Sequence, residues 1–96
     1  MNKYKIATKA YHKLGDISRD EPDLCEIFED DEDNYYGEWI TGFGFIDVCF
    51  PKETTRDLTE DEIRQYVGTS IAINNNPPLF TFTEEELRTE IELEYD

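Results

Sequence analysis

The stretch LCEIFEDDEDNYYGEWI (residues 24–40) decides how this chain folds. Leu24 to Phe28 and Tyr35 to Ile40 are two runs of aliphatic and aromatic residues, the composition that suits a pleated, half-buried surface. Between them lie Glu29, Asp30, Asp31, Glu32, Asp33 and Asn34, six polar residues that read as a hairpin-like connection. Gly37, Gly42 and Gly44 mark places where the backbone turns, bulges or packs closely against another strand. A third strand is expected over Phe43 to Phe50. There Gly44, Ile46, Val48 and Phe50 share one face, and Phe43, Phe45, Asp47 and Cys49 share the other. Large residues on both faces suggest a central strand. Asp47 is read as pointing outward, since an unpaired carboxylate is rarely buried.

Beyond Pro51 the signal turns helical. Thr59-Glu60-Asp61-Glu62 has the form of a capping box, with Leu58 and Ile63 as its hydrophobic staple, and predicts a helix over about 60–67 closed by Gly68. Ile63, Tyr66 and Val67 are its apolar face. Ser70 to Ile73 and Leu79 to Phe82 read as short strands around the Asn74–Pro78 turn. Thr83-Glu84-Glu85-Glu86 repeats the box, with Phe82 and Leu87 as the staple. Residues 87–95 fit helix or strand. Residues 1–14 also fit both templates, but Tyr4, Ala7, Tyr11 and Leu14 at helical spacing, with Gly15 as a C-cap, favour a helix.

The sum is one small α+β domain over residues 1–96: a twisted antiparallel sheet or partly open barrel of four to five strands, with two to three short helices. A chain of 96 residues accommodates one core. Net charge is −15, which pushes the composition toward disorder, but six Tyr, six Phe and Trp39 in short runs argue for a folded domain with acidic surfaces.

That charge is segregated. Residues 1–19 carry Lys3, Lys5, Lys9, Lys13 and Arg19 against Asp16, whereas residues 20–38 hold ten carboxylates and no cation. The lysine-containing N-terminus has no uninterrupted apolar core of signal-peptide length, and the Trp39–Phe50 run is too polar to span a bilayer. A cytoplasmic protein with reduced thiols at Cys25 and Cys49 is expected, although the sequence leaves open whether the two pair.

No cofactor is implied. Gly42-Phe43-Gly44 lacks the third glycine, helix and lysine of a phosphate-binding loop, and the overall charge disfavours direct contact with nucleic acid or an anionic membrane. Two cysteines and His12 make a poor zinc set, and the acidic link fails the EF-hand spacing at Tyr35 and Gly42. Neither Ser18 nor Ser70 sits in a nucleophile motif, so no catalytic residue is assigned.

The expectation is a non-enzymatic protein-binding module. Its partner-binding residues are Glu29, Asp30, Asp31, Glu32, Asp33, Tyr35, Tyr36 and Glu38, supplemented by Glu84, Glu85 and Glu86. The partner would be a basic protein surface, in the sharper form a nucleic-acid-binding protein or nuclease complex, which this chain would inhibit by mimicking nucleic acid, as small anti-defence proteins of phages do. Trp39 and one of the two tyrosines should be core, and the other tyrosine, if it faces outward, is the candidate hot spot. The alternative is an accessory subunit that docks on a larger complex through its sheet, with the acids serving solubility. Opposite charge on residues 1–19 and 20–38 would also permit a homodimer.

Overall fold

A computed structural model describes residues 1–41, 47–68, 70–71 and 80–92. The strands are β1 (Tyr4–Ala7), β2 (Tyr11–His12), β3 (Gly15–Asp16), β4 (Asp23–Asp30), β5 (Asn34–Trp39), β6 (Val48–Pro51), β7 (Thr55–Arg56), β8 (Ser70–Ile71) and β9 (Phe80–Thr81). The helices are α1 (Glu60–Tyr66) and α2 (Glu84–Leu87), and a 3-10 turn at Lys52–Thr54 joins β6 to β7. Strands β1 to β7 form one antiparallel sheet in the order β3-β2-β6-β5-β4-β1-β7, and β8 pairs with β9. Mainly sheet with two helices, the architecture is α+β as expected, but it has more strands than the four to five predicted. The sheet ends at β3 and β7 rather than closing into a barrel.

The first fourteen residues correct the sequence reading. They form β1 and β2 instead of a helix, because β1 is buried on both faces and a helical stripe cannot satisfy that. Tyr4 and Ile6 enter one hydrophobic cluster while Ala7 enters another. Gly15, at φ 137°, begins β3 and does not cap a helix. The N-terminus is held by the C-terminal segment: the Met1 ammonium donates to the Ile91 carbonyl at 3.0 Å, and the Lys3 amide donates to the Thr89 carbonyl at 2.9 Å.

Each face of the sheet carries part of the core. On the helix face, Tyr4, Ile6, Leu24 and Ile40 pack with Ile63 of α1, Leu87 of α2 and Phe82. On the inner face, Ala7, Ala10, Cys25, Ile27, Trp39, Val48 and Phe50 form a second cluster, with Trp39 and Phe50 edge to face at 5.1 Å between ring centroids. Full burial of an Ile, Leu or Phe side chain is worth about 1.5–3 kcal/mol. Val48 and Phe50 are buried together as the alternation requires, and Asp47 is exposed. The predictions for Gly42, Phe43, Gly44, Phe45 and Ile46, for residues 72–79 and for residues 93–95 lie outside the described residues.

Helix α1 carries the complete capping box, Glu62 amide to Thr59 hydroxyl and Thr59 amide to Glu62 carboxylate, and ends before Gly68 at φ 78°. Val67, expected on the buried face, is 40% exposed because it is already the C-cap with extended backbone. In α2 the Glu86 amide donates to the Thr83 hydroxyl, but the Glu86 carboxylate meets that hydroxyl and not the Thr83 amide. Among the described residues, no helix is long and apolar enough to cross a membrane.

Candidate acidic interface

The β4–β5 ladder pairs Glu26 with Glu38 and Ile27 with Gly37, then skips Phe28 and resumes with Glu29 opposite Tyr36 and Asp30 opposite Tyr35. This one-residue bulge resets the alternation of faces. Gly37 allows the close approach beside it, since a Cβ there would lie 1.8 Å from the Glu26 carbonyl oxygen. With the bulge, Glu29 shares the helix face with Glu26, Glu38 and Tyr36, while Asp30 and Tyr35 turn to the inner face.

On the inner face the polar groups are internally paired. The fully buried Asp30 side chain accepts from Lys52 Nζ at 2.6 Å, and its Oδ1 has no hydrogen-bond partner among the described residues. The Tyr35 ring packs against the inner cluster and meets Lys5 and Lys52, each with Nζ 5.0 Å from its centroid. Lys5 is buried and pairs with Asp57 at 2.5 Å, a contact that holds the Asp57 carboxyl below its usual range.

The connection itself is built around Asp31. Its Oδ1 accepts from the amides of Asp33 (3.0 Å) and Asn34 (2.8 Å), and its Oδ2 accepts from the Tyr36 hydroxyl at 2.5 Å. The Tyr36 hydroxyl, and after it the Asn34 amide, lower the Asp31 pKa; the same bond raises that of the Tyr36 phenol. Asp30 and Asp31 are therefore committed to the fold, and Glu29, Glu32 and Asp33 are the exposed members of the block.

Glu38 is half-buried directly across from Glu26, and its pKa is raised by burial and then by Glu26. Like charges facing one another across a strand pair are destabilising. Lys3 relieves Glu26 at 3.1 Å. Tyr4 links this pair to α2: burial, followed by Glu26, Glu86 and Glu38, pushes its phenol up to about 12. Glu86 thus acts on the same phenol as Glu26 and Glu38, whereas Glu84 is bound by Arg88 at 2.9 Å and Glu85 stands exposed on the helix surface.

The cations are spent inside the chain. Lys3, Lys5, Arg19, Lys52, Arg56, Arg64 and Arg88 all make ion pairs, with Glu26, Asp57, Asp23, Asp30, Glu62, Asp61 and Glu60 respectively. Of the described Lys and Arg side chains only Lys9 and Lys13 lie outside such pairs, so the N-terminal segment that reads as basic in sequence is largely neutralised in the fold. Cys25 and Cys49 are free thiols on opposite faces. Cys25 is buried, with its pKa pushed up to about 12 by desolvation, and Cys49 is half-buried. No group of three or more His, Cys, Asp or Glu among the described residues is arranged to hold a metal ion.

Two contributors were missed in sequence. Tyr11 and Cys49 continue the helix face beyond Tyr36, through the register pairs Tyr36–Cys49 and Cys49–Tyr11. Strand pairing between remote segments brings them there, and no local pattern signals it. Comparison with protein-family models, curated proteins and solved structures finds no match to this chain.

Proposed function

We propose that this protein is a non-enzymatic binding module that presents carboxylates to a basic protein surface. The observation that carries the reading is the internal use of the cations: seven Lys and Arg side chains are held in ion pairs, while Glu29, Glu32, Asp33, Glu38, Glu85 and Glu86 enter none among the described residues. Like-charge repulsion at this density opposes folding and is felt over a screening length of about 8 Å at physiological salt. A basic partner converts that cost into complementarity and fast association.

In its sharper form, the partner surface is one that otherwise binds DNA or RNA, and the chain inhibits it by mimicry. Charge supports this, together with spacing. Glu26 and Glu38 face each other across strands about 4.8 Å apart, and Glu29 follows on the same face beyond the bulge, against a phosphate spacing of about 3.4 Å along one DNA strand. The competing reading, an accessory subunit held by apolar surface, draws on Leu14 and Phe28, which are 75% and 45% exposed.

Affinity capture from a lysate of the source organism at low salt separates the two. Mimicry requires recovery of a nucleic-acid-binding protein that is released both by a salt step and by added DNA or RNA. Recovery of a complex indifferent to both would overturn it in favour of the accessory role.

A further inference from the structure

We infer that the row Glu29–Tyr36–Cys49–Tyr11, with Glu38 beside it on the helix face, is a docking line for arginine side chains of a protein partner. The inference rests on the binding-module reading and goes beyond it by naming the surface and the residue type it takes.

The chain shows how it holds its own cations. Arg19 lies 4.7 Å from the centroid of the Trp39 ring, pairs with Asp23 at 2.5 Å and donates to Thr41 Oγ1 at 3.0 Å. Lys3 sits over Tyr4 at 5.8 Å and pairs with Glu26. Lys5 and Lys52 share the Tyr35 ring, paired with Asp57 and Asp30. In each case an aromatic face and a carboxylate flank the same cation.

The row repeats these ingredients. Glu29 is the cross-strand partner of Tyr36, and Glu38 lies two positions along β5 on the same face. Cys49 bridges to Tyr11, which is 41% exposed. Tyr36 and Tyr11 contact no Lys or Arg in cation–π geometry among the described residues. Four strands at about 4.8 Å spacing make the row about 14 Å wide, room for two or three side chains of an extended segment or one helix face.

Arginine fits better than lysine, because a planar guanidinium stacks on a ring while its fork meets a carboxylate. The partner is a protein, since nucleic acid and anionic lipid share the sign of this surface. A second copy is disfavoured by a charge of −15 on each chain and by uncommitted cations that are both lysines.

The test measures anisotropy of fluorescent hexa-arginine and hexa-lysine peptides with the full chain at fixed ionic strength. Hexa-arginine should bind at least about threefold tighter. E29Q/E38Q should weaken it about tenfold, and E32Q/D33N, with the same charge change at the hairpin tip, less than about threefold. Tyr36→Phe should keep the arginine preference and Tyr36→Leu erase it. Amide shifts in the unaltered protein should follow Tyr36, Cys49 and Tyr11, which keeps the test independent of any variant's folding. Equal losses in the two double variants, equal binding of both peptides, or shifts confined to residues 32–33 would overturn the docking line and leave the binding-module reading standing. No binding of either peptide at low salt would overturn both.

Discussion

Glu29–Tyr36 and Asp30–Tyr35 are adjacent cross-strand pairs, each a carboxylate opposite a tyrosine, yet their environments are opposite. The Asp30 carboxylate is fully buried against Lys52, and Tyr35 packs on the inner cluster between two lysines. Glu29 is exposed and Tyr36 half-buried, with no cation against either. One step along a strand separates a buried ion pair from an exposed carboxylate. Charge in a block such as residues 29–33 is thus not one property. Each carboxylate takes its role from the face to which the pleat assigns it.

The largest expected contrast between the faces is chemical. Under native conditions Cys49 should react with a thiol reagent at least about a thousandfold faster than Cys25, which is reached only when the sheet opens. Comparable rates, measured by mass spectrometry of labelled peptides, would break the assignment of the two faces.

Next is the bulge. Gly37→Ala places a methyl group on the Glu26 carbonyl and should cost about 3 kcal/mol or more in urea unfolding. A loss under about 1 kcal/mol would mean that the register around Phe28 is wrong.

Paired substitutions at Asp30 and Glu29 separate the two environments energetically. Asp30→Ala leaves Lys52 without its partner and should destabilise by about 1–3 kcal/mol, whereas Glu29→Ala should stay within about 0.5 kcal/mol. Neutralising Asp30 and Asp31 to probe binding would therefore confound binding with folding, and Glu29 and Glu38 are the informative positions.

The smallest effect is at Glu38, where removing the repulsion from Glu26 by Glu38→Gln should stabilise by about 0.2–1 kcal/mol at neutral pH. A carboxyl whose folded pKa is raised opposes folding while ionised, and that penalty fades as pH falls through the raised value. Carboxyls with depressed folded pKa act in the opposite sense. Glu62, held at about 2 chiefly by Arg56, and Asp57, held down by Lys5, stabilise the fold above their unfolded values and lose that contribution as pH falls through the folded ones. Thermal midpoints should thus rise gently from neutral pH toward about pH 5 and then drop toward about pH 2, and Glu38→Gln should flatten the rise without changing the drop.

Much of the β4–β5 hairpin was legible in sequence, because both strands and their polar link are contiguous. The cap of α1 was legible for the same reason, with all its donors and acceptors within four residues. Residues 1–14 read as helical in sequence because Tyr4, Ala7, Tyr11 and Leu14 also satisfy a helical stripe. Burial of β1 on both faces, which excludes that stripe, exists only once β4 and β7 flank it. The candidate interface was half legible: Glu29, Tyr36 and Glu38 lay within the predicted block, and Tyr11 and Cys49 outside it.

By itself, the sequence determined the antiparallel hairpin, its acidic link, a capped helix and the net charge of −15, all properties of neighbouring residues or of composition. Tertiary structure decided which carboxylates are structural and which are presented. That choice depends on the bulge at Phe28, which shifts the alternation by one residue, and on cations from distant segments: Lys52 for Asp30, Lys5 for Asp57 and Lys3 for Glu26. Neither the slip in register nor the pairing of remote charges is encoded in local pattern, because both arise only when separate strands are brought to within one hydrogen bond of each other.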